Sequence, residues 1–449
     1  MRRPERSSTN QQRRPLVAAV CSLLLGSGCY STGEGLDPPA SRIYFPVGLA
    51  LANDARHLVV LNSDFDLQYN AGTLQVLDLE RAREAMAQPC ADDTVCGEGR
   101  ACDASIGLCV DVSGPSAGSP CGAVSVRTRS DQLLYPGLCE SIDPTRPPSG
   151  SSWITEAVQI GAFATDVIYR KRPSTNVDPG PPGRIFFPVR GDATLHWADV
   201  LEDGTVDCGQ RGNGGACDDR HRAGDDPDRE NTRDLRLEAE PFALDATSDG
   251  RAIAVTHQTT QTVSVFDDQS WSSTGPRLVD ELSQLGDRPV GVAAVPVPAV
   301  VRARGDAYAP GFLVTYRAES YVSLVRYASG LDGSGASPPD WPVLANAGSS
   351  SILVNSVGTD SRGIAIDQSA RLEAEAECYA ETGVEPACAN DSACVAALDV
   401  GLRDRLVACL QEAAANGLGV YVASRSPDSL LVGRTTPAEN VASSTDLPA

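Results

Sequence analysis

The residues of this chain that could do chemistry are its cysteines, one tract of aspartates and four histidines, and their spacing narrows what each could do. Cys90, Cys96, Cys102 and Cys109 follow one another with five, five and six residues between them; Cys121 with Cys139, Cys208 with Cys217, and Cys378, Cys388, Cys394 and Cys409 make up the later groups. Structural zinc sites use closely spaced cysteine pairs, which this pattern lacks. An even number of cysteines in local groups points instead to disulfides, about six of them. The pairing of Cys378 with Cys409 and Cys388 with Cys394 is one of three that four cysteines allow.

The aspartates lie in CGQRGNGGACDDRHRAGDDPD, residues 208–228. Asp218, Asp219, Asp225, Asp226 and Asp228 could offer hard oxygen ligands to calcium, with glycines permitting tight wrapping. The spacing is not that of an EF-hand, however, and Arg220, His221 and Arg222 interrupt the charge. A solvated loop closed by Cys208 and Cys217 is the simpler reading. Asp64 and Asp66 in NSDFD read in the same way, as a polar turn first and a site second. Histidines 57, 196, 221 and 257 fall in different segments, so cysteine-protease or zinc-hydrolase chemistry has no local support. No G-x-G-x-x-G or phosphate-binding loop occurs, and no cofactor is expected. Lys171 is the sole lysine, which leaves almost no amine for Schiff-base chemistry.

A formal net charge of -22 repels nucleic acid and anionic headgroups. Trp153, Trp197, Trp271 and Trp341 are far apart and not interleaved with a basic stripe, so packing is their expected use.

Compartment is read from RRPLVAAVCSLLLGSGC, Arg13 to Cys29, which has a basic start, a short apolar run and small residues before the cysteine. The run is shorter than the roughly 20 residues that a membrane-spanning helix needs. This stretch resembles a bacterial lipoprotein signal. The resemblance implies removal of residues 1–28, lipidation of Cys29 and an outer-membrane lipoprotein facing the periplasm or the surface. Residues 29–40 then form a tether and 436–449 a polar tail.

The elements that would position any site are short strands. RIYFPVGLALAND, HLVVLN and TLQVLDLE open the folded part. PFALDATSDGRAIAVTHQTTQTVSVFD, then PVGVAAVPVP with GFLVTY and YVSLVRY, and RGIAID with GVYVAS and SLLVGR repeat the plan. A less regular copy begins at GAFATDVIY. Starts thus fall near Pro46, Gly161, Pro241, Pro289 and Arg362. The recurring P-x-G-φ-A followed by V-x-V-φ-D resembles the blades of YVTN-type or quinoprotein-like β-propellers. That resemblance implies an all-β fold over residues 41–435, with about five to seven degenerate blades. Two insertions interrupt it: a cysteine-rich loop at 89–109, and a disulfide-held helical stretch at 370–416 expected to form two or three helices. Acidic residues near the blade starts are Glu156, Asp166, Asp245 and Asp367.

The expected function is a binding or assembly module, anchored by lipid in the envelope and partnered there by another envelope protein. The alternative is a lactonase-like, metal-dependent hydrolase using acidic residues at a propeller channel. It requires three or more acidic or amide groups directed at one place.

Overall fold

A computed structural model describes residues 35–435, apart from residues 86–87, 115–116, 122–123, 135–136, 148–150, 173–179, 211–212, 227–234, 248–251, 269–270, 272–273, 306–308, 329–342, 352–359 and 427. The expected signal, Cys29, Asp228, Trp341 and the polar tail lie outside the described residues.

The fold is mostly β, with six antiparallel sheets. The first contains β1 (Pro46–Ala52), β2 (His57–Asn62), β3 (Gly72–Asp78) and β6 (Ile154–Ile160), and β4 (Arg100–Asp103) with β5 (Leu108–Asp111) forms a small hairpin between β3 and β6. The second holds β7 (Ile168–Lys171), β8 (Gly183–Val189) and β9 (Thr194–Val200), with β10 (Val206–Asp207) and β11 (Arg222–Ala223) both on β9. The third is β12 (Pro241–Ala246), β13 (Ile253–His257), β14 (Thr262–Asp267) and β15 (Arg277–Leu282). The fourth is β16 (Pro289–Val295), β17 (Gly311–Tyr316), β18 (Tyr321–Ala328) and β19 (Val343–Ser351). The fifth has three strands, β20 (Ser361–Asp367), β21 (Gly419–Arg425) and β22 (Asp428–Arg434). These five sheets begin where the sequence repeats begin.

Each sheet's first strand touches the first strand of the next: β1 with β7, β7 with β12, β12 with β16, and β16 with β20. The sheets therefore follow one another face to face. This arrangement explains why the strands of the middle sheets read as continuous apolar runs rather than as alternating ones. In β8, Ile185 and Phe187 pack toward the first sheet while Phe186 packs toward the third. In β17, Phe312 and Val314 face the third sheet and Leu313 faces the fifth. Truncating Phe186 to alanine would cost on the order of 3–5 kcal/mol, because both that face and its neighbour lose contacts.

The end sheets differ. Leu49 and Leu51 on β1 are 63% and 56% exposed, and Leu430 and Val432 on β22 are 62% and 67% exposed. Residues 41–47 belong with the first sheet and not with the last. Tyr44 donates its amide to Asn62 Oδ1, and Gln75 holds the carbonyls of Ala40 (2.9 Å) and Arg42 (3.0 Å).

Disulfides Cys90–Cys102, Cys96–Cys109, Cys121–Cys139, Cys208–Cys217, Cys378–Cys409 and Cys388–Cys394 use twelve cysteines. The cysteine-rich insertion is larger than 89–109. It fills the connection between β3 and β6 and includes α1 (Leu79–Ala85) and α2 (Arg129–Leu134). The second insertion, between β20 and β21, has four helical segments, α4 (Ser369–Thr382), α5 (Pro386–Ala389), α6 (Ser392–Ala397) and α7 (Val400–Ala414), rather than two or three. The carboxylates of Asp391 and Asp399 cap fresh helix starts, and Pro386 opens another. A short helix from the fourth sheet, α3 (Ala299–Arg304), joins their shared core.

Candidate functional site

Antiparallel pairing divides the connections between two ends. Those after first and third strands carry the insertions: 79–153, 296–310 and 368–418. At the opposite end, which we call the rim, second strands turn tightly into third strands, as at 190–193, 258–261 and 317–320.

Every first strand is entered at the rim through a non-glycine residue with left-handed backbone: Phe45 (φ 39°), Phe163 (61°), Glu240 (54°), Arg288 (60°) and Asp360 (35°). Such conformations cost free energy for residues with a Cβ and persist only where the surroundings hold them. The surroundings do so the same way in each sheet. The carbonyls of these five residues accept the amides of Ser63 (3.0 Å), Arg190 (3.2 Å), Gln258 (3.2 Å), Arg317 (2.9 Å) and Arg425 (3.2 Å), each just past the end of a second strand or at it.

The rim's side chains are not uniform. On the side of the first two sheets, Phe45, Phe65 and Phe163 form a run with ring centroids 5.7 and 5.6 Å apart. The Arg190 guanidinium lies 5.6 Å from the Phe65 centroid and pairs with Glu240 at 2.7 Å. Asp64 accepts the Tyr69 amide at 2.9 Å, and its burial pushes its carboxyl up. Between the fourth and fifth sheets, Asp360 meets three arginines: Arg317 Nε at 2.9 Å, Arg425 Nη2 at 2.6 Å and Arg362 Nη2 at 3.4 Å. Burial works against the Asp360 carboxylate, but the Arg317 hydrogen bond and the surrounding guanidinium charges hold it below the usual carboxylate range. Arg362 is itself drawn down, by desolvation and then by its cationic neighbours.

The described aspartates singled out in sequence do not converge. Asp218 caps a 3-10 turn and receives His221 at 2.7 Å, Asp219 pairs with Arg222 at 3.2 Å, and Asp225 and Asp226 are exposed. Among the described residues, the one group of three metal-capable side chains is Cys90, Cys96 and Cys109, all tied up in disulfides. Asp166 and Asp245 instead staple sheet to sheet. Asp166 accepts the Leu244 amide (3.3 Å) and Asp245 accepts that of Ala294 (2.7 Å). Desolvation raises the Asp166 carboxyl to about 7. Glu156 lies on an outer strand, and Asp367 caps Ser369 at the insertion end.

The four histidines stay separate, against Asn53, Asp192, Asp218 and Ser264. Ser264 Oγ stands between His257 Nε2 (2.9 Å) and Glu281 Oε1 (3.1 Å), but Ser264 and His257 are both 0% exposed, so no substrate reaches this hydroxyl. Two tryptophans do more than pack. Arg184 lies over Trp197 (4.2 Å) and Trp271 (5.2 Å) while binding Asp199 (2.7 Å) and Asp268 (2.9 Å), a buried clasp between the second and third sheets.

The rim residues escaped sequence reading. The available signal was position: Phe45, Glu240 and Arg288 stand directly before the proline that opens a repeat.

No protein-family model matches the chain, and no characterised protein matches it in sequence. Solved structures similar to it include a candidate 6-phosphogluconolactonase from Bacteroides uniformis (10% identity, 88% of this chain and 72% of that one, TM-score 0.34). Others are the periplasmic gluconolactonase of Pseudomonas aeruginosa (14%, 89% and 83%, TM-score 0.33) and the hydrazine synthase of Kuenenia stuttgartiensis (10%, 91% and 99%, TM-score 0.29). At these identities and scores the likenesses carry no argument about fold or function.

Proposed function

We propose that this chain is an exported binding module of β-propeller type, anchored through Cys29, whose ligand face is the rim. One observation carries the reading: five left-handed non-glycine strand entries, an aromatic run, the Arg190–Glu240 ion pair and the arginine cluster around Asp360 gather at a single end of the sheet series. Left-handed non-glycine residues also occur at the other end, at Asn53, Asp54, Ala55 and Trp271; what sets the rim apart is that its five strand entries are each held by a backbone hydrogen bond, with exposed aromatic and cationic groups beside them, as a preorganised recognition surface requires. Rigid sheets presenting loops at one edge can bind without a catalytic constellation. Six disulfides suit an oxidising compartment. No helix among the described residues is long and apolar enough to cross a membrane. The metal-dependent hydrolase has less support, because the acidic residues near the strand starts are engaged with backbone amides or lie apart.

Native mass spectrometry of the chain extracted from its own envelope tests the reading. We expect a bound mass that disappears in Phe65→Ala/Arg190→Ala and persists in Leu133→Ala, at an exposed position of the cysteine-rich insertion. Bound mass that survives the rim substitutions overturns it.

A further inference from the structure

The cluster around Asp360 has more positive charge than its structural task requires. The junction between the second and third sheets performs the equivalent task with one arginine and one acid. There Arg190, after a second strand, pairs with Glu240, before the next first strand, and the pair is neutral. At the junction of the fourth and fifth sheets, Arg317 and Asp360 occupy the same two positions and already complete that pair at 2.9 Å. Arg362 and Arg425 are added to it. Both reach the same oxygen, Asp360 Oδ2, at 3.4 and 2.6 Å. One carboxylate thus faces three guanidiniums.

The surplus stands on a chain of formal net charge -22. Asp360 offsets only part of the mutual repulsion of three like charges, and a further anion would offset more of it. Access is available, since the Arg425 side chain is 63% exposed and that of Arg362 34% exposed. Planar guanidiniums converging from different backbone elements suit an oxyanion, which accepts several charge-assisted hydrogen bonds at once. The left-handed Asp360 backbone and its carbonyl bond to the Arg425 amide fix two of the elements against each other.

We infer that Arg317, Arg362 and Arg425 form a binding site for an oxyanion, a phosphate or carboxylate group of the ligand, with Asp360 as the internal anion that holds the site open until it binds. This rests on the rim being the ligand face and assigns the chemistry of one part of it.

The probes are inorganic phosphate and, separately, malonate, titrated calorimetrically into the mature full chain at low ionic strength. Saturable binding is expected, and preference for one probe identifies the source of the oxyanion. Arg362→Gln/Arg425→Gln should weaken it by about tenfold or more. Asp360→Asn, which removes the competing carboxylate, should tighten it severalfold; a purely structural cluster would instead lose stability with no gain in affinity. Arg425→Gln alone, at an exposed position, guards against misfolding and should weaken binding in the same direction. Absence of saturable binding, or affinity unchanged in the arginine variants, overturns the proposal. If bound mass in native extracts still depends on Phe65 and Arg190, the rim reading survives that failure.

Discussion

At the scale of single residues, burial rather than charge pairing sets the behaviour of the acids along the first strands. Asp166 has no cation at its carboxylate, and desolvation carries it to about 7 although two backbone amides favour the ionised form. Its folded value exceeds the unfolded one, so between about pH 4 and pH 7 the folded chain holds a proton that the unfolded chain has released. The stability from this group is therefore full at pH 4 and lost as pH rises to 7, by up to about 4 kcal/mol. Glu281, raised by burial to about 7, acts in the same sense, while His257, lowered by burial to about 4, acts in the opposite sense as pH falls below 6.5. Asp166→Asn isolates one contribution. In urea unfolding its deficit relative to wild type should be larger near pH 5 than near pH 8; a deficit independent of pH would show that Asp166 is ionised throughout.

At the scale of elements, the repeat starts were legible in the sequence because strand signals recur with turns between them. The second sheet was less so, since its first strand, IYRK, is four residues long and enters through Ala164 rather than proline. The helical insertion was legible as helical but not in its number of segments, because Asp391 and Asp399 act as caps only once the chain has turned. The rim was legible only as positions before repeat starts, not by residue type. Its five left-handed residues are Phe, Phe, Glu, Arg and Asp, with no type in common, and their partners lie a strand pair away. Cys378–Cys409 clamps α4 (Ser369–Thr382) to α7 (Val400–Ala414), the first and last long helices of the insertion. Closing a loop of 31 residues is worth about 3–4 kcal/mol in the chain-entropy model. Cys378→Ala/Cys409→Ala should accordingly speed amide hydrogen exchange across 369–414 while leaving β12 to β14 protected. Equal acceleration in both regions would mean that insertion and sheets unfold as one unit.

At the scale of the whole molecule, the two ends do different work. One carries the cysteine-rich and helical insertions and, among the described residues, most of the disulfides; the other carries the five held strand entries and a division between aromatic and cationic surface. The account stands on the second end being where the molecule meets its ligand. The most direct measurement is photo-crosslinking in living cells, with benzoylphenylalanine placed at Phe45 on the rim and, separately, at Ile106 in the cysteine-rich insertion, both exposed. The account predicts a discrete adduct from position 45 that fails to form when Arg190 is alanine, and none from position 106. An adduct from position 106 with a silent rim would contradict it.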